Sequence, residues 1–256
     1  MKKIFSGLAI TTVLATTCLA HAADVKPTVV LVHGAFADSS SWNGVVKILE
    51  KDGYPVISAA NPLRGVASDA QSIASIVKSV KTHVVLVGHS YGGAVISDAA
   101  YGSQNVKALV YVAAFTPEKG ETAAELSGRF PGGTLASALA APVDLADGGK
   151  DLYIQQDKFH DQFAADVSEA DARLMAAGQR PITVAALNEA ATEPAWKTIP
   201  SWFVYGDKDK NIPPQAMAFM AERAHAKQTV VVKGGSHVVM VSNPEIVADL
   251  IEKAAQ

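Results

Sequence analysis

The stretch that decides the fold is HVVLVGHSYGG, residues 83–93. An apolar, β-branched run of the kind found in strands buried on both faces ends at the motif GHSYG, residues 88–92. An alanine-rich segment compatible with a helix follows it. Gly88 and Gly92 leave room for a strand and a helix to pass close together around Ser90. The pattern predicts a nucleophile elbow, a tight strand–turn–helix unit that presents a serine hydroxyl above the end of a sheet.

Strand and helix patterns alternate along most of the 256 residues. Apolar runs predict five further strands, at 28–32, 54–59, 106–115, 201–205 and 229–233. Helical spacing of apolar residues predicts helices at about 42–51, 68–80, 92–101, 214–226 and 244–254. This alternation is typical of a parallel sheet with helices on both faces. We therefore predict an α/β fold with a mostly parallel, doubly wound sheet of about six strands.

The alternation stops between about residues 116 and 198, where we find no strand pattern. Loops rich in Gly, Pro and Asp separate short helical segments, and these lie near 121–126, 158–165, 169–177 and 182–191. A structureless loop of that length is implausible inside a compact domain. We expect a helical cap inserted at the C-terminal edge of the sheet, so that residues 23–256 form one domain with a cap at about 116–198.

The N-terminus has the pattern of a signal peptide covering residues 1–22. Two lysines at positions 2–3 precede an apolar stretch at 4–19, and Ala-His-Ala at 20–22 matches the cleavage site of a signal peptidase. The apolar stretch is short for a membrane span. We predict a bacterial protein that is periplasmic or secreted, begins at Ala23 after cleavage and has no membrane partner.

Composition limits the classes of function. The formal net charge is -3, and the chain has no basic run that would bind nucleic acid or an anionic membrane. The single cysteine, Cys18, lies in the signal peptide, so the mature chain has no thiol nucleophile and no disulfide. Neither a metal-ligand spacing nor a nucleotide fingerprint is found in the sequence. We expect no metal and no cofactor.

A serine hydroxyl becomes a nucleophile only beside a base, usually a histidine oriented by a carboxylate. In sheets of this type the three residues follow in the order serine, acid, histidine, each after a strand. The loop after the fifth predicted strand offers Asp207 and Asp209, and the loop after the sixth offers His237. We predict Ser90 as nucleophile and His237 as base. For the acid we favour Asp209, which lies deeper in its loop, and keep Asp207 as the alternative.

A tetrahedral oxyanion needs two fixed N–H donors. One is expected from Tyr91, directly after the nucleophile. The other is expected from the loop after the first strand, where Gly34 lets the backbone approach; Ala35 is the first candidate and Phe36 the second. His33, in the same loop, is predicted to be a structural hydrogen-bonding residue.

The substrate pocket is predicted from apolar side chains near these loops. Phe36 and Val238 are the main candidates for substrate binding, with Phe115, Val239 and Met240 as further ones, and the cap helices are expected to line the pocket as well. Their character indicates a small-molecule ester that is uncharged or weakly polar.

Four motifs together resemble the α/β-hydrolase superfamily: HGAF at 33–36, GHSYGG at 88–93, GDKD at 206–209 and SH at 236–237. The match spans nearly the whole mature chain. More narrowly, the chain resembles small bacterial esterase-like hydrolases that are similar to plant methyl-ester esterases and hydroxynitrile lyases. The resemblance implies a serine triad, no cofactor and a helical cap. It also implies Asp209 as the acid, because that acid commonly stands third after the glycine of its loop.

Departures from other relatives narrow the expected chemistry. Dehalogenases and epoxide hydrolases of this fold have aspartate where this chain has Ser90. Hydroxynitrile lyases have threonine in the first-strand loop and lysine after the histidine, where this chain has Gly34 and Val238. We therefore expect a carboxylic-ester hydrolase that forms an acyl-enzyme on Ser90. Hydrolysis of amides, thioesters or carbon–carbon bonds, or ligand binding without catalysis, are the alternatives.

Overall fold

The computed structural model describes residues 25–256. The predicted signal peptide, residues 1–22, and Cys18 lie outside the described residues. Within residues 25–256, no helix has the length and apolar character needed to cross a membrane.

Six parallel strands form the central sheet, in the order β2-β1-β3-β4-β8-β9. Every residue of β1 and β3 is buried, as expected of strands covered on both faces. The predicted α/β fold with a parallel sheet of about six strands is confirmed. In chain order, the strands are β1 (Thr28–Val32), β2 (Val56–Ala59), β3 (Val84–His89), β4 (Val106–Val112), β5 (Val143–Asp144), β6 (Lys150–Leu152), β7 (Ile182–Thr183), β8 (Ser201–Gly206) and β9 (Gln228–Val232).

Two pairs of helices cover this sheet, since α2 packs on α3 and α1 packs on α11. Val45 and Leu49 of α1, four residues apart, are fully buried, as an amphipathic helix requires. The helices are α1 (Asn43–Lys51), α2 (Val66–Ser79), α3 (Gly92–Ala99), α4 (Ala123–Gly128), α5 (Leu135–Ala138), α6 (Gln156–Phe163), α7 (Glu169–Gly178), α8 (Val184–Asn188), α9 (Pro214–Arg223), α10 (Val239–Ser242) and α11 (Pro244–Ala254).

The strand order places two important loops side by side. The chain runs outward from β1 to β2 and then returns to the other side of β1 to form β3, so the order reverses between β1 and β3. Val32 at the end of β1 pairs with Gly88 near the end of β3. Open α/β sheets bind their ligands at such a switch point, outside the carboxyl ends of the strands.

The cap between β4 and β8 differs from the prediction in one respect. It contains α4 to α8, but also a small antiparallel sheet in the order β5-β6-β7. The expectation of a cap without strands is therefore wrong. Strands of two or three residues are too short to leave an alternating pattern in the sequence. The predicted helix at 182–191 begins instead as β7 and continues as α8.

An ion-pair cluster joins the start of the cap to α9. Arg223 donates to both carboxylate oxygens of Glu121, at 3.0 and 2.9 Å, and Arg129 lies 2.9 Å from the same carboxylate. Arg223 also donates to the carbonyl oxygen of Thr116, at 2.6 Å. Burial acts to raise the pKa of Glu121, but the hydrogen bonds from Arg223 and Arg129 outweigh it and lower the pKa to about 2.

We expect Glu121→Gln to lower the free energy of unfolding by about 2 kcal/mol at pH 7, measured by urea denaturation. A depressed carboxylate pKa stabilises the fold fully above the ordinary value of 4.5, and this contribution is lost as pH falls toward 2. The difference between variant and wild type should therefore shrink by about pH 3. Glu193→Gln, which removes the exposed pair with Lys119 at 3.8 Å, is the control and should cost under about 0.5 kcal/mol. An equal loss in both variants would contradict the assignment.

Candidate active site

Ser90 lies on the turn between β3 and α3 with a positive φ of 54°, a conformation that costs a residue with a side chain about 1–2 kcal/mol. A Cβ at Gly88 would lie 2.6 Å from the carbonyl oxygen of Gly92, and a Cβ at Gly92 would lie 2.6 Å from that of Val32. The small residues of the GHSYG motif are therefore required by the close approach of strand and helix. Strain of this kind is concentrated at functional sites.

The loop after β1 approaches the serine just as closely. A Cβ on Gly34 would lie 2.6 Å from Cβ of Ser90, 3.2 Å from its Oγ and 2.7 Å from the carbonyl oxygen of His89. Only glycine fits at position 34 with this backbone. This contact brings the backbone of Ala35 to the nucleophile.

His237 and Asp209 form a buried pair. Nδ1 of His237 and Oδ2 of Asp209 are 2.6 Å apart, and the two residues are 1% and 4% exposed. The other carboxylate oxygen of Asp209 accepts from the backbone N–H groups of Asn211, at 2.7 Å, and Ile212, at 3.0 Å. Asp207 instead accepts from the N–H of Gly234, at 2.7 Å, and so links the loops after β8 and β9. The structure places Asp209, and not Asp207, against the histidine.

Ser90 and His237 border the same cavity, which has a volume of about 330 Å³. Within residues 25–256, no hydrogen bond joins the Ser90 hydroxyl to the histidine ring in this structure. Hydrogen bonds between a nucleophile and its base are often long before substrate binds. The shared cavity is where a reacting group would meet both side chains.

Two backbone N–H groups at this cavity, those of Ala35 and Tyr91, donate to no acceptor among the described residues. The N–H of Phe36, the second candidate for an oxyanion donor, is already bonded to the carbonyl oxygen of Arg180 in the cap, at 2.9 Å. The geometry therefore favours Ala35 and Tyr91 as the pair of free donors.

His33 orients one of these donors. Its Nε2 accepts from the backbone N–H of Asn61, at 3.0 Å, so its Nδ1–H donates to the carbonyl oxygen of Gly34, at 2.9 Å. That carbonyl and the N–H of Ala35 belong to one planar trans peptide and point in opposite directions. Fixing the carbonyl therefore aims the N–H. Burial lowers the pKa of His33, which keeps the ring neutral and able to accept.

His89 packs behind His237 rather than beside the serine hydroxyl. Its Nε2–H donates to the carbonyl oxygen of His237, at 3.1 Å, and the two ring centroids are 4.8 Å apart. Burial lowers the pKa of His89 well below its ordinary value, and the neighbouring His237 lowers it further. A neutral ring therefore supports the backbone of His237.

The cavity wall is largely apolar. Phe36 and Phe115, both predicted from the sequence, lie in it. The cap was expected to line the pocket, and the rest of the wall comes mainly from its small and aliphatic residues, among them Ala123, Ala124, Ser127, Leu135, Ala136 and Leu139. Residues 25–256 contain no group of three or more His, Cys, Asp or Glu side chains able to bind a metal ion.

The expected contact of Val238 with the pocket is not found. After His237 the chain turns directly into α10, and this turn buries Val238, Val239 and Met240 completely in the core, outside the cavity lining. Apolar character alone did not distinguish a core position from a pocket position.

A model of the Alpha/beta hydrolase family matches residues 29–250. The chain belongs to this family. It is 27% identical over 251 residues to alpha/beta hydrolase nvfD of Aspergillus novofumigatus (strain IBT 16806), covering 90% of this chain and 97% of that protein. It is 23% identical over 248 residues to the alpha-hydroxynitrile lyase of Arabidopsis thaliana, covering 88% and 96%.

Among solved structures, polyneuridine aldehyde esterase matches with a TM-score of 0.78 and 18% identity, covering 90% of this chain and 100% of that one. At this identity the likeness shows the shared fold. The superfamily predicted from the motifs is confirmed. The hydrolase name of the Aspergillus relative supports a hydrolytic enzyme.

A buried polar network of this hydrolase was missed in the sequence. The Tyr91 hydroxyl donates to Oδ2 of Asp69, at 2.9 Å, and the N–H of Arg64 donates to the same carboxylate. Arg64 then reaches the cap, where it lies 2.7 Å from Asp151. Burial raises the pKa of Asp69, although these hydrogen bonds oppose the rise. In the sequence, Asp69 has only the signature of an ordinary acid in the first turn of a helix.

A second missed contact joins the cap to the acid loop. The Gln162 amide of α6 donates to Oδ1 of Asn211 and to the carbonyl oxygen of Lys210, each at 3.0 Å. Gln162 and Asn211 are both buried. The loop that carries Asp209 is therefore hydrogen-bonded to the cap, in addition to its connection to the sheet.

We expect Gly34→Ala to lower the free energy of unfolding by about 1–3 kcal/mol, because the added methyl would displace Ser90 or the backbone of His89. Urea denaturation of both proteins measures this difference. Gly178→Ala is the matched control, since a Cβ there meets nothing within 4 Å. If Gly34→Ala unfolds at the same urea concentration as the wild type, the two loops are not as tightly packed as described.

Proposed function

We propose that this protein is a serine hydrolase that cleaves carboxylic esters through an acyl-enzyme on Ser90, with His237 as base and Asp209 as the orienting acid. The observation that carries the proposal is the buried 2.6 Å contact between His237 and Asp209, at the same cavity as a serine with φ of 54°. A ligand-binding protein has no need for this combination.

In the proposed reaction, Oγ of Ser90 attacks the ester carbonyl carbon while Nε2 of His237 takes the hydroxyl proton. Asp209 accepts from Nδ1–H of His237 and stabilises the imidazolium. The negative oxygen of the tetrahedral intermediate accepts from the N–H groups of Ala35 and Tyr91. The intermediate collapses as the bond to the alcohol oxygen breaks, and the imidazolium protonates that oxygen. Water then repeats the sequence on the acyl-enzyme and releases the acid.

The cavity supports small, uncharged esters as substrates. No Asp, Glu, Lys or Arg borders it among the described residues, so an ionised acid would lose its hydration without a partner. Phe36 and Phe115 offer contact to an apolar group. The esterase name of one structural relative agrees with this chemistry. We also propose a periplasmic or secreted location, on the strength of the signal-peptide pattern at residues 1–22.

Other reactions would use the same residues. Amides, thioesters and carbon–carbon bonds next to a carbonyl all pass through an acyl-enzyme or a related oxyanion. The lyase relative raises cyanohydrin cleavage as a further reaction. Gly34 opposes it, because a threonine side chain has no space at that position.

We expect an organophosphonate probe to label Ser90 of the mature protein, and p-nitrophenyl esters of graded chain length to be hydrolysed. Ser90→Ala should lose both the label and the turnover, as read by mass spectrometry and by absorbance. Ser127→Ala is the matched control, since it removes another hydroxyl from the same cavity and should keep the label on Ser90. No label and no Ser90-dependent turnover would overturn the mechanism, while labelling without ester turnover would point to another acyl substrate.

We expect Asp209→Asn to lower kcat about a thousand- to ten-thousand-fold, because an amide cannot stabilise the imidazolium and favours the wrong tautomer of His237. Asp207→Asn keeps an oxygen that can accept from Gly234 and should lower kcat less than about tenfold. Steady-state kinetics on one p-nitrophenyl ester compares the two variants. Equal losses, or a greater loss at position 207, would reassign the acid.

A further inference from the structure

A second cavity of about 400 Å³ lies on the other side of the loop after β1. It is bordered by this loop and the start of α1 on one side, and by α7 of the cap on the other. Phe36 is the one described residue that borders both this cavity and the one at Ser90. Phe36 therefore lies between the two spaces.

The backbone at Phe36 is unusual. It has φ of 60°, in the left-handed region where a bulky residue costs about 1–2 kcal/mol and glycine costs almost nothing. Its N–H donates to Arg180 of the cap, at 2.9 Å, and its ring meets the ring of Phe163 edge-on, at 6.1 Å between centroids. The backbone and the ring of Phe36 are therefore both held against the cap.

We propose that Phe36 is the partition that sets the maximum length of the apolar group bound at Ser90, and that the second cavity is a subsite which this ring closes off. The inference rests on the proposed ester substrate for its meaning in catalysis. For binding, the inference about Phe36 is independent of the proposed ester substrate, because the size of the accessible space limits the affinity for an apolar chain whether or not a bond is cleaved.

The chemistry of the second cavity indicates what would enter it. Its lining includes the apolar residues Ala37, Met175 and Val241, which offer contact to an alkyl or aryl group. Its charged lining residues, Asp38 and Asp171, are acids, and no Lys or Arg borders it among the described residues. An uncharged apolar chain is therefore accepted, whereas a chain that ends in a carboxylate is repelled.

The test measures affinity against chain length. n-Alkyl methyl ketones of increasing length are titrated into Ser90→Ala by calorimetry, and the same series is repeated with Phe36→Ala added. Each methylene that becomes buried should tighten binding about fourfold until the available space is full. We expect affinity to stop rising at a longer chain in the protein that also carries Phe36→Ala. The longest ketones should therefore bind this protein at least tenfold more tightly than they bind the Ser90→Ala parent.

Filling the second cavity supplies the decisive control. Met175→Trp alone should leave the limiting length unchanged, because ligands do not reach that space past Phe36. Added to Phe36→Ala, it should bring the limit back to that of the parent. Phe115→Ala enlarges only the first cavity, so any shift that it causes should not respond to Met175→Trp. Phe36→Leu, a milder change, should shift the limit in the same direction and covers the case in which Phe36→Ala does not fold.

Hydrolysis of p-nitrophenyl esters and of alkyl esters of one acid, with Ser90 intact, gives the catalytic counterpart as kcat/KM. The partition is supported if the ketone limit moves and Met175→Trp reverses the move. It is overturned if Phe36→Ala and Phe36→Leu keep the parent limit, or if the reversal fails. Absence of ester turnover in every protein would reject the proposed function alone, because the ketone affinities would still decide the partition.

Discussion

The loop after β1 and the turn after β3 are in such close contact that neither Gly34 nor Gly92 has room for a Cβ. The parallel pairing of Val32 with Gly88 creates this contact, because it ends two adjacent strands at the same level. The rest of the site depends on it. Ser90, Ala35 and Tyr91 border one cavity because these backbones touch.

The cap is attached to both halves of this arrangement. The backbone carbonyl oxygen of Arg180 accepts from the N–H of Phe36 in the loop after β1, and the Gln162 side chain donates to the loop that carries Asp209. At its start the cap is fixed through Glu121. Movement of the cap would therefore be transmitted to the loop that carries Asp209 and to the loop after β1, so the cap supports the candidate site as well as covering it.

The sheet could be predicted, and Ser90, Asp209 and His237 could be proposed as a group, because each leaves a local sign in the sequence. Continuous apolar runs mark buried strands, glycines mark the turn at Ser90, and Asp209 and His237 follow strands at the expected places. Features that depend on distant packing left no such sign. Asp69 has the pattern of any helix start, the cap strands are two or three residues long, and Val238 is as apolar as a pocket residue although it lies in the core.

The two neutral histidines beneath the site have a consequence for acid tolerance. Burial keeps the pKa values of His33 and His89 below the ordinary 6.5, so the folded chain resists a proton that the unfolded chain readily accepts. As pH falls below 6.5, proton uptake by these two rings favours unfolding. His33 aims the Ala35 N–H, and His89 supports the backbone of His237. Protonation of these two rings therefore destabilises the part of the fold that lies beneath the candidate site. The two imidazoles that hold the Gly34 carbonyl and the backbone of His237 in place are therefore also groups through which acid destabilises the fold.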